Sequence, residues 1–480
     1  MSDRDQPLAT PDAALLDALR ALLGPAGVKE AGDDAPWLEE PRGRWKGAAA
    51  LVVRPASTEE VSGVVRLCAA AHVGIVPWSG GTGLVSGQVK DDGAPTILLS
   101  LDRMNRLRAA IPEEDALIVE AGMTLADVQR EAEKIGRLFP LSLASEGSCR
   151  IGGNLATNAG GVQVLRYGNA RDLCLGIEAV MADGSVLHGL KTLRKDNTGY
   201  DLRHLLIGSE GTLGIITAAA LKLSARPGEI ATGFCAVPGP EAALELLHLM
   251  RARFAETVSA FELMNRQGFD FLAEHCPEAR LPIDAPDWAV LTEVTGAAGA
   301  GMQARLEETL AEAMEAGLVL DAALASSMTQ RDAMWQVREL LPEANRRVGS
   351  ISSHDVSLPL SRIAWFIETA NAGVAGLDPS MRVNDFGHMG DGNLHYNVFP
   401  AAGRTRHDYE SLRPAIKTLI HDLVHEAGGS VSAEHGIGRF KIDDLQRYGD
   451  PVKLASMRAI KSALDPQGIF NPGAVLPDLR

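Results

Sequence analysis

The chain is short of positive charge: 46 Lys and Arg stand against 62 Asp and Glu, a formal net charge of −16. An acidic balance of this size removes the broad basic footprint that nucleic acid requires. It also disfavours docking on anionic membranes. Long apolar runs are missing too, since no window approaches the roughly 18 residues of a membrane span. The start, Met1-Ser2-Asp3-Arg4-Asp5, has no apolar stretch behind a basic segment. Neither a signal peptide nor a transmembrane anchor is therefore expected, and a cytoplasmic location is. Cysteine is sparse. Cys68, Cys149, Cys174, Cys235 and Cys276 are scattered and form no C-x-x-C pair. This excludes a disulfide framework and a cysteine-rich metal or iron–sulfur site, and leaves five small buried hydrophobes. Internal repeats and low-complexity tracts are absent.

What is present is bulk and glycine. The 480 residues are 46% hydrophobic, too many for one core and too apolar for disorder. Glycine numbers 49, about 10%, against roughly 7% in an average chain. Residues 1–45 read as an N-terminal arm around one short apolar helix pattern (Leu15, Leu16, Leu19, Leu22, Leu23). Strands are expected at 49–53, 74–78, 96–99, 116–120 and 177–181. Ser57-Thr58-Glu59-Glu60 has the form of a capping box and opens a helix with Val61, Val64, Val65 and Leu67 on one face. From about residue 226 amphipathic helices dominate (241–253, 302–316, 361–373). Strand-like segments lie between them (230–237, 288–294, 351–358, 382–399). The pattern is α+β.

Glycine concentrates in three stretches. Pro77-Trp78-Ser79-Gly80-Gly81-Thr82-Gly83-Leu84 follows a strand and continues to Gly87. Glycine there allows positive φ and lets amides converge on an anion. It is neither a Walker A loop nor G-x-G-x-x-G. Gly147 to Gly161 holds five glycines and two asparagines, a composition that should build neither helix nor strand, and close backbone approach to a large ligand would justify its ordering. Gly208 to Gly214 is a glycine turn feeding an apolar strand from Ile215.

The sharpest chemistry lies at Phe386-Gly387-His388-Met389-Gly390-Asp391-Gly392-Asn393-Leu394-His395-Tyr396-Asn397. Asp-Gly between extended segments signals a two-residue hairpin. Such a turn would set His388 opposite His395 and Phe386 opposite Asn397, two imidazoles on one face able to grip a metal ion. A third ligand would be needed, and Ser432-Ala433-Glu434-His435-Gly436-Ile437-Gly438 offers a carboxylate and an imidazole. The plainer reading of that segment is a helix N-terminus with an acidic first turn. Trp335-Gln336-Val337-Arg338-Glu339 reads as helical, with Arg338 a candidate fork for a carboxylate. Arg346 and Arg347 read as surface pairs on their own helix.

The three glycine stretches resemble the flavin-binding loops of the vanillyl-alcohol oxidase/p-cresol methylhydroxylase fold, most closely its FAD-linked 2-hydroxy-acid dehydrogenase branch. The resemblance spans about residues 40–480. It implies a two-subdomain FAD-binding domain at 46–226, an α+β cap at 227–425 and a C-terminal segment, 426–480, completing the flavin site. It implies FAD contacts at Pro77, Ser79, Gly80, Gly81, Thr82, Gly83 and Leu84 for the pyrophosphate. Further contacts are implied at Gly147, Ser148, Ile151, Gly152, Gly153, Asn154, Asn158, Gly160, Glu210, Gly211, Gly214, Ile215 and Asn471. Thr82 stands where many members carry a flavin-linked His, so non-covalent FAD is expected.

The same resemblance implies a divalent ion, usually zinc in this branch, on His388, His395 and Glu434. His435 would be the base, and Arg338 and Asn397 with His435 would bind the substrate. The implied reaction is oxidation of an (R)-2-hydroxy acid, such as D-2-hydroxyglutarate or D-lactate, to the 2-oxo acid, with hydride passing to flavin N5. Ser353 replaces a Lys often present in members acting on hydroxyglutarate. Electrons would leave through a soluble carrier such as electron-transfer flavoprotein, or a quinone, and a homodimer is the expected assembly. The rival readings are a flavin oxidase using O₂ and a metal-dependent hydrolase whose glycine loops hold a substrate nucleotide.

Overall fold

The computed structural model describes residues 7–30, 35–41, 43 and 45–477. The rest of the expected arm, and residues 478–480, lie outside the described residues. The chain divides into two compact units, the first made of 1–160, 168–226 and 434–480, the second of 161–167 and 227–433.

Among the described residues the first unit has a four-stranded and a five-stranded sheet, besides a two-stranded ribbon of Arg137–Leu138 with Ser224–Ala225. In the four-stranded one the order is Val28–Lys29, Leu51–Val53, Ile97–Ser100, Ile75–Trp78, the last three running parallel. Helix Thr58–Ala70 connects two of them. Ser57 caps it by accepting the Glu60 amide at 3.2 Å, and the Glu60 carboxylate turns back to the Ala56 amide at 2.7 Å. Its buried face is Val61, Val64, Val65 and Cys68. The five-stranded sheet is antiparallel, ordered Leu107–Ile111, Ala116–Glu120, Ile215–Lys222, Cys174–Val180, Val186–Gly189.

Helix Ala13–Leu23 is not an arm. Its Leu15, Leu19 and Leu23 are buried in the same core as Val61, Ile75 and Leu99. The leucine spacing gives it one apolar stripe, and the core offers the only place to bury it. The chain end returns to this unit. The Ile75 amide donates to Ile469 O at 2.7 Å, the Asn471 amide donates to Ile75 O at 2.8 Å, and Phe470 is fully buried.

Among the described residues the second unit has two sheets. The four-stranded antiparallel sheet is ordered Val258–Asn265, Trp288–Gly296, Glu229–Val237, Asp321–Leu324, with helices Pro240–Phe254 and Met302–Glu315 against it. The three-stranded sheet is ordered Ser352–Ser357, Asn393–Phe399, Arg382–Phe386. Helices Ile363–Leu377 and Arg413–Glu426 pack beside each other there.

This unit runs to Ala433 rather than ending at the expected 425. Ser430 and Ser357 exchange both backbone hydrogen bonds, at 2.8 and 3.0 Å, and the Ala433 amide donates to Asp355 O at 3.3 Å. A short piece, 161–167, also belongs here, tied by the Arg166 guanidinium to Thr295 O at 2.9 Å. Among the described residues no helix is long and apolar enough to cross a membrane.

Candidate functional site

In the first unit, strand Ile75–Trp78 delivers the chain into the first glycine loop. A Cβ on Gly80 would lie 2.5 Å from Ser148 O and 2.8 Å from Cys149 Cα. The Gly153 amide donates to Ser79 Oγ at 2.9 Å. The first two glycine stretches therefore interlock backbone to backbone, which only glycine permits. Gly81 is left-handed, φ +71°, with Trp78 against the position a Cβ would take. Among the described residues, no protein oxygen accepts the amides of Gly80, Gly81, Thr82, Gly83 or Leu84. Unaccepted amides in a glycine loop are the donors an anion-binding concavity needs, and the donor set fits a dinucleotide pyrophosphate. Trp78 Nε1 and Ser86 Oγ are buried in the same loop without a protein partner.

The second stretch corrects one expectation. Ile151–Ala156 is a helical turn and a half in spite of its glycines. Gly152 and Gly153 are there for clearance, since a Cβ would meet Ala121 Cβ at 2.8 Å and Ser79 Cβ at 2.9 Å. Ile151 and Asn154 are buried, while Gly147 and Ser148 are exposed. Asn158 is left-handed (φ +50°) and accepts the Arg171 amide at 3.0 Å; the adjacent Ala159 and Gly160 are buried.

The third stretch anchors the others. Gly211 sits on Pro77, where a Cβ would be 2.4 Å from Pro77 Cγ, and Gly214 leads into buried Ile215. Glu210, also left-handed (φ +53°), accepts the amides of Ile437 and Gly438 at 2.7 and 2.8 Å. Enclosure pushes its carboxyl above the usual range, and those two amides oppose the rise. Asn471 Nδ2 donates to Gly87 O at 3.0 Å and to Glu210 O at 2.8 Å. Arg439, which sequence reasoning missed, donates to Ser86 O, Gly87 O, Asn471 Oδ1 and Pro472 O at 2.8–3.0 Å. The side chains of Glu210 and Asn471, expected to face the cofactor, are thus engaged in joining the loops. Glu434 and His435 head the segment that Glu210 holds; their side chains are 3.7 Å apart (Oε1 to Nε2) and half-buried. No helix begins there, the next being Ile442–Tyr448, so the helix N-terminus reading fails.

In the second unit the histidine hairpin differs from its expected register. His395 stands opposite Phe386, and Asn397 opposite Asn384, a slip of two residues on one strand. The connection is Gly387–Gly392, not a two-residue turn. Both its ends are bound elsewhere. Gly387 exchanges two backbone hydrogen bonds with Leu263 at 2.9 Å, and Gly392 O accepts the Leu358 amide at 2.9 Å. His388 therefore lies in the loop, yet its ring centroid is 5.5 Å from that of His395. His388 Nδ1 is 2.8 Å from Glu262 Oε1, and His395 Nδ1 is 3.8 Å from Asp355 Oδ1. For His388, a carboxylate hydrogen-bonded behind Nδ1 turns Nε2 into the ligand nitrogen, the usual support of a metal-binding histidine; the His395 contact is too long for a hydrogen bond.

Arg338, on helix Met328–Glu339, is 5% exposed. Its Nε donates to Glu262 Oε2 at 2.7 Å, and its guanidinium lies 4.8 Å from the Phe386 ring centre. Burial alone would raise the Glu262 carboxyl, but the adjoining His388 and Arg338 and their hydrogen bonds outweigh it and hold it at about 2. Asn397 is buried and its Nδ2 donates to His395 O at 3.1 Å. Arg346 and Arg347 both clasp Glu343 on the surface, as expected of a helix pair. Ser353 Oγ is 2.7 Å from Ser350 Oγ. Glu262 was missed in the sequence. Its signal is a lone acid inside the apolar run Val258-Ser259-Ala260-Phe261-Glu262-Leu263-Met264.

Two family models match, described as an FAD binding domain over residues 49–189 and as the C-terminal domain of FAD linked oxidases over residues 226–475. Among curated relatives, D-2-hydroxyglutarate dehydrogenase, mitochondrial, of Bos taurus is 38% identical over 92% of this chain and 80% of its own length. D-2-hydroxyglutarate dehydrogenase of Xanthomonas citri pv. viticola is 35% identical over 95% and 94%. The solved structure of p-cresol methylhydroxylase with substrate bound shares the fold, with a TM-score of 0.75, 18% identity and 99% of both chains covered. The chain therefore belongs to the FAD-linked oxidase family and is a FAD-dependent oxidoreductase of the p-cresol methylhydroxylase fold, related to the 2-hydroxy-acid dehydrogenases.

Proposed function

We propose that this enzyme oxidises an (R)-2-hydroxy acid to the 2-oxo acid, using non-covalent FAD and a divalent ion, zinc in the first instance, on His388, His395 and Glu434. One observation carries the metal and substrate assignment: a single buried carboxylate, Glu262, holds a ligand-type histidine on one oxygen and a buried arginine on the other. Glu434 follows directly on Ala433, the last residue of the second unit. Its neighbour Ala433 is hydrogen-bonded to Asp355, and Asp355 is the strand partner of His395.

When bound, FAD supplies the hydride acceptor at N5 and the ion supplies Lewis-acid polarisation of the α-hydroxyl. Arg338 and Asn397 bind and orient the substrate carboxylate. His435 takes the hydroxyl proton on its imidazole nitrogen as general base. The backbone amides of residues 80–84 hold the pyrophosphate. Thr82 lacks the imidazole through which a histidine at this position would bond to the flavin ring. Reoxidation by a soluble carrier such as electron-transfer flavoprotein, or by a quinone, fits a site assembled without iron–sulfur cysteines. A cytoplasmic location accords with the bacterial relative, whereas the bovine one is named mitochondrial.

The test is anaerobic bleaching of the flavin by a panel of R- and S-2-hydroxy acids, before and after chelation. R acids should bleach it, and chelation should slow bleaching at least about a hundredfold, the scale of a lost Lewis acid. Bleaching by S acids alone, or untouched by complete metal removal, would overturn the reading. Including both D-lactate and D-2-hydroxyglutarate reports what Ser353 does to the preferred chain length. Flavin that stays in the acid-precipitated pellet would refute the non-covalent assignment.

A further inference from the structure

Glu262 and Glu293 are neighbouring acids on one face of the four-stranded sheet. Glu262 pairs with Leu291, and Glu293 with Ala260, in the ladder of adjacent strands. Both are buried, at 1% and 2% exposure. Two ionised groups in an apolar sheet cost desolvation unless each is fully engaged. Both face helix Met328–Glu339. Glu293 Oε2 accepts Arg331 Nε at 2.7 Å and Trp335 Nε1 at 2.9 Å, and Glu262 Oε2 accepts Arg338 Nε at 2.7 Å. Residues 331, 335 and 338 are spaced i, i+4, i+7 and form one helix face. The acids differ in what else they hold. Besides that helix, Glu293 takes Thr232 Oγ1 at 3.0 Å on the neighbouring strand, an anchorage within the sheet. Glu262 presents its second oxygen to His388 Nδ1 at 2.8 Å, on the loop Gly387–Gly392.

We propose that Glu262 is the positioning residue of the active site, one carboxylate that sets His388 as an Nε2 metal ligand and fixes the Arg338 guanidinium for the substrate carboxylate. This rests on the reading of His388 and Arg338 given above. The two jobs need opposite edges of one group. Oε1 accepts the Nδ1 proton of a neutral imidazole, which keeps the lone pair on Nε2. Oε2 accepts Nε of arginine and so leaves the two terminal nitrogens of the fork to point away from Glu262. The guanidinium stacks over the Phe386 ring, 4.8 Å from its centre. A Gln at 262 keeps the volume but has one acceptor oxygen for two donors, so either His388 or Arg338 loses its orientation. Glu293→Gln perturbs the same helix without touching a ligand, and separates helix docking from site positioning.

The experiment compares purified wild type, Glu262→Gln and Glu293→Gln, each with FAD bound. Zinc affinity is read by competition with a chromophoric chelator, and KM and kcat by dye reduction with an R-2-hydroxy acid. Glu262→Gln should weaken zinc about 10- to 100-fold, the usual effect of removing a carboxylate behind a ligand histidine, and raise KM about tenfold or more. Its flavin absorbance should not change. Glu293→Gln should lower the melting temperature and leave zinc affinity at the wild-type value. Wild-type zinc affinity and KM in Glu262→Gln would overturn the proposal, as would an equal loss of zinc in Glu293→Gln.

Should Glu262→Gln not fold, the wild type answers alone. Long-range proton–nitrogen correlation in zinc-loaded protein must show His388 protonated at Nδ1, and protonation at Nε2 would overturn the proposal. Wild-type protein with no tight zinc site would instead refute the metal reading itself, and this inference with it, before any variant is compared.

Discussion

Glu210 holds the Ile437 amide at 2.7 Å across more than two hundred residues of sequence, and takes Gly438 at 2.8 Å with its other oxygen. A Cβ on Gly436 would collide with this carboxylate at 2.7 Å, so the loop after His435 is wrapped directly on it. Glu210→Ala should destabilise the protein by about 1–3 kcal/mol, the cost of leaving enclosed donors unmade. Loss of FAD should accompany it. Glu210→Gln, which keeps one acceptor, should fall between. Urea unfolding and flavin-to-protein absorbance check both; full FAD content with unchanged stability in Glu210→Ala would contradict the clamp.

Asp385, fully buried on the hairpin strand Arg382–Phe386, titrates out of place. Burial pushes its carboxyl up to about 7, against opposing hydrogen bonds from Asn265 and Asn371. Unfolded, the same group ionises near 3.9. Between those values the native state keeps a proton that the unfolded chain releases. Stability therefore falls as pH rises from about 4 to 7, by up to about 1.4 kcal/mol per pH unit from this residue, and has no further slope from it above 7. Asp385→Asn should remove that slope and match the wild type near pH 4. Denaturant melts at a series of pH values read it directly.

Gly80 carries the closest approach of the first two glycine stretches. A methyl there meets backbone at 2.5 and 2.8 Å, which cannot swing aside. Overpacking of this kind costs about 1–3 kcal/mol. Gly80→Ala should bind FAD at least about tenfold more weakly, since each 1.4 kcal/mol is tenfold. Gly376→Ala, in helix Ile363–Leu377 with open space around it, should bind FAD normally and be stabilised by up to about 1 kcal/mol. Fluorimetric FAD titration of the apoproteins distinguishes them.

The five cysteines are all buried and unpaired. Burial pushes Cys68, Cys174 and Cys235 up to about 12, well away from the thiolate form. Native protein at pH 8 should react with almost no Ellman's reagent, and denatured protein with five equivalents. Fast native labelling of any thiol would contradict the packing of that residue.

Local signals carried much of this molecule. Ser57 to Glu60 announced its helix, the strand at 116–120 falls where its apolar run put it, and the glycine stretches marked the loops that approach one another. The clustering of His388 and His395 was also legible, though for a partly wrong reason. Asp391-Gly392 suggested a tight turn, whereas the bonds of Gly387 to Leu263 and of Leu358 to Gly392 open the connection and shift the ladder. Those partners lie far away in sequence, and no local pattern encodes them.

By itself the sequence determined the chemistry on offer: an acidic chain, glycine loops with spare amides, two histidines in one hairpin and an arginine on a helix. Only the tertiary structure decided how these groups are held. In the linear chain Glu262 and Arg439 drew no reading, and Glu210 was expected to contact the cofactor. They proved to be the groups that join distant segments, because a buried or enclosed charge is tolerated only where its partners converge in three dimensions.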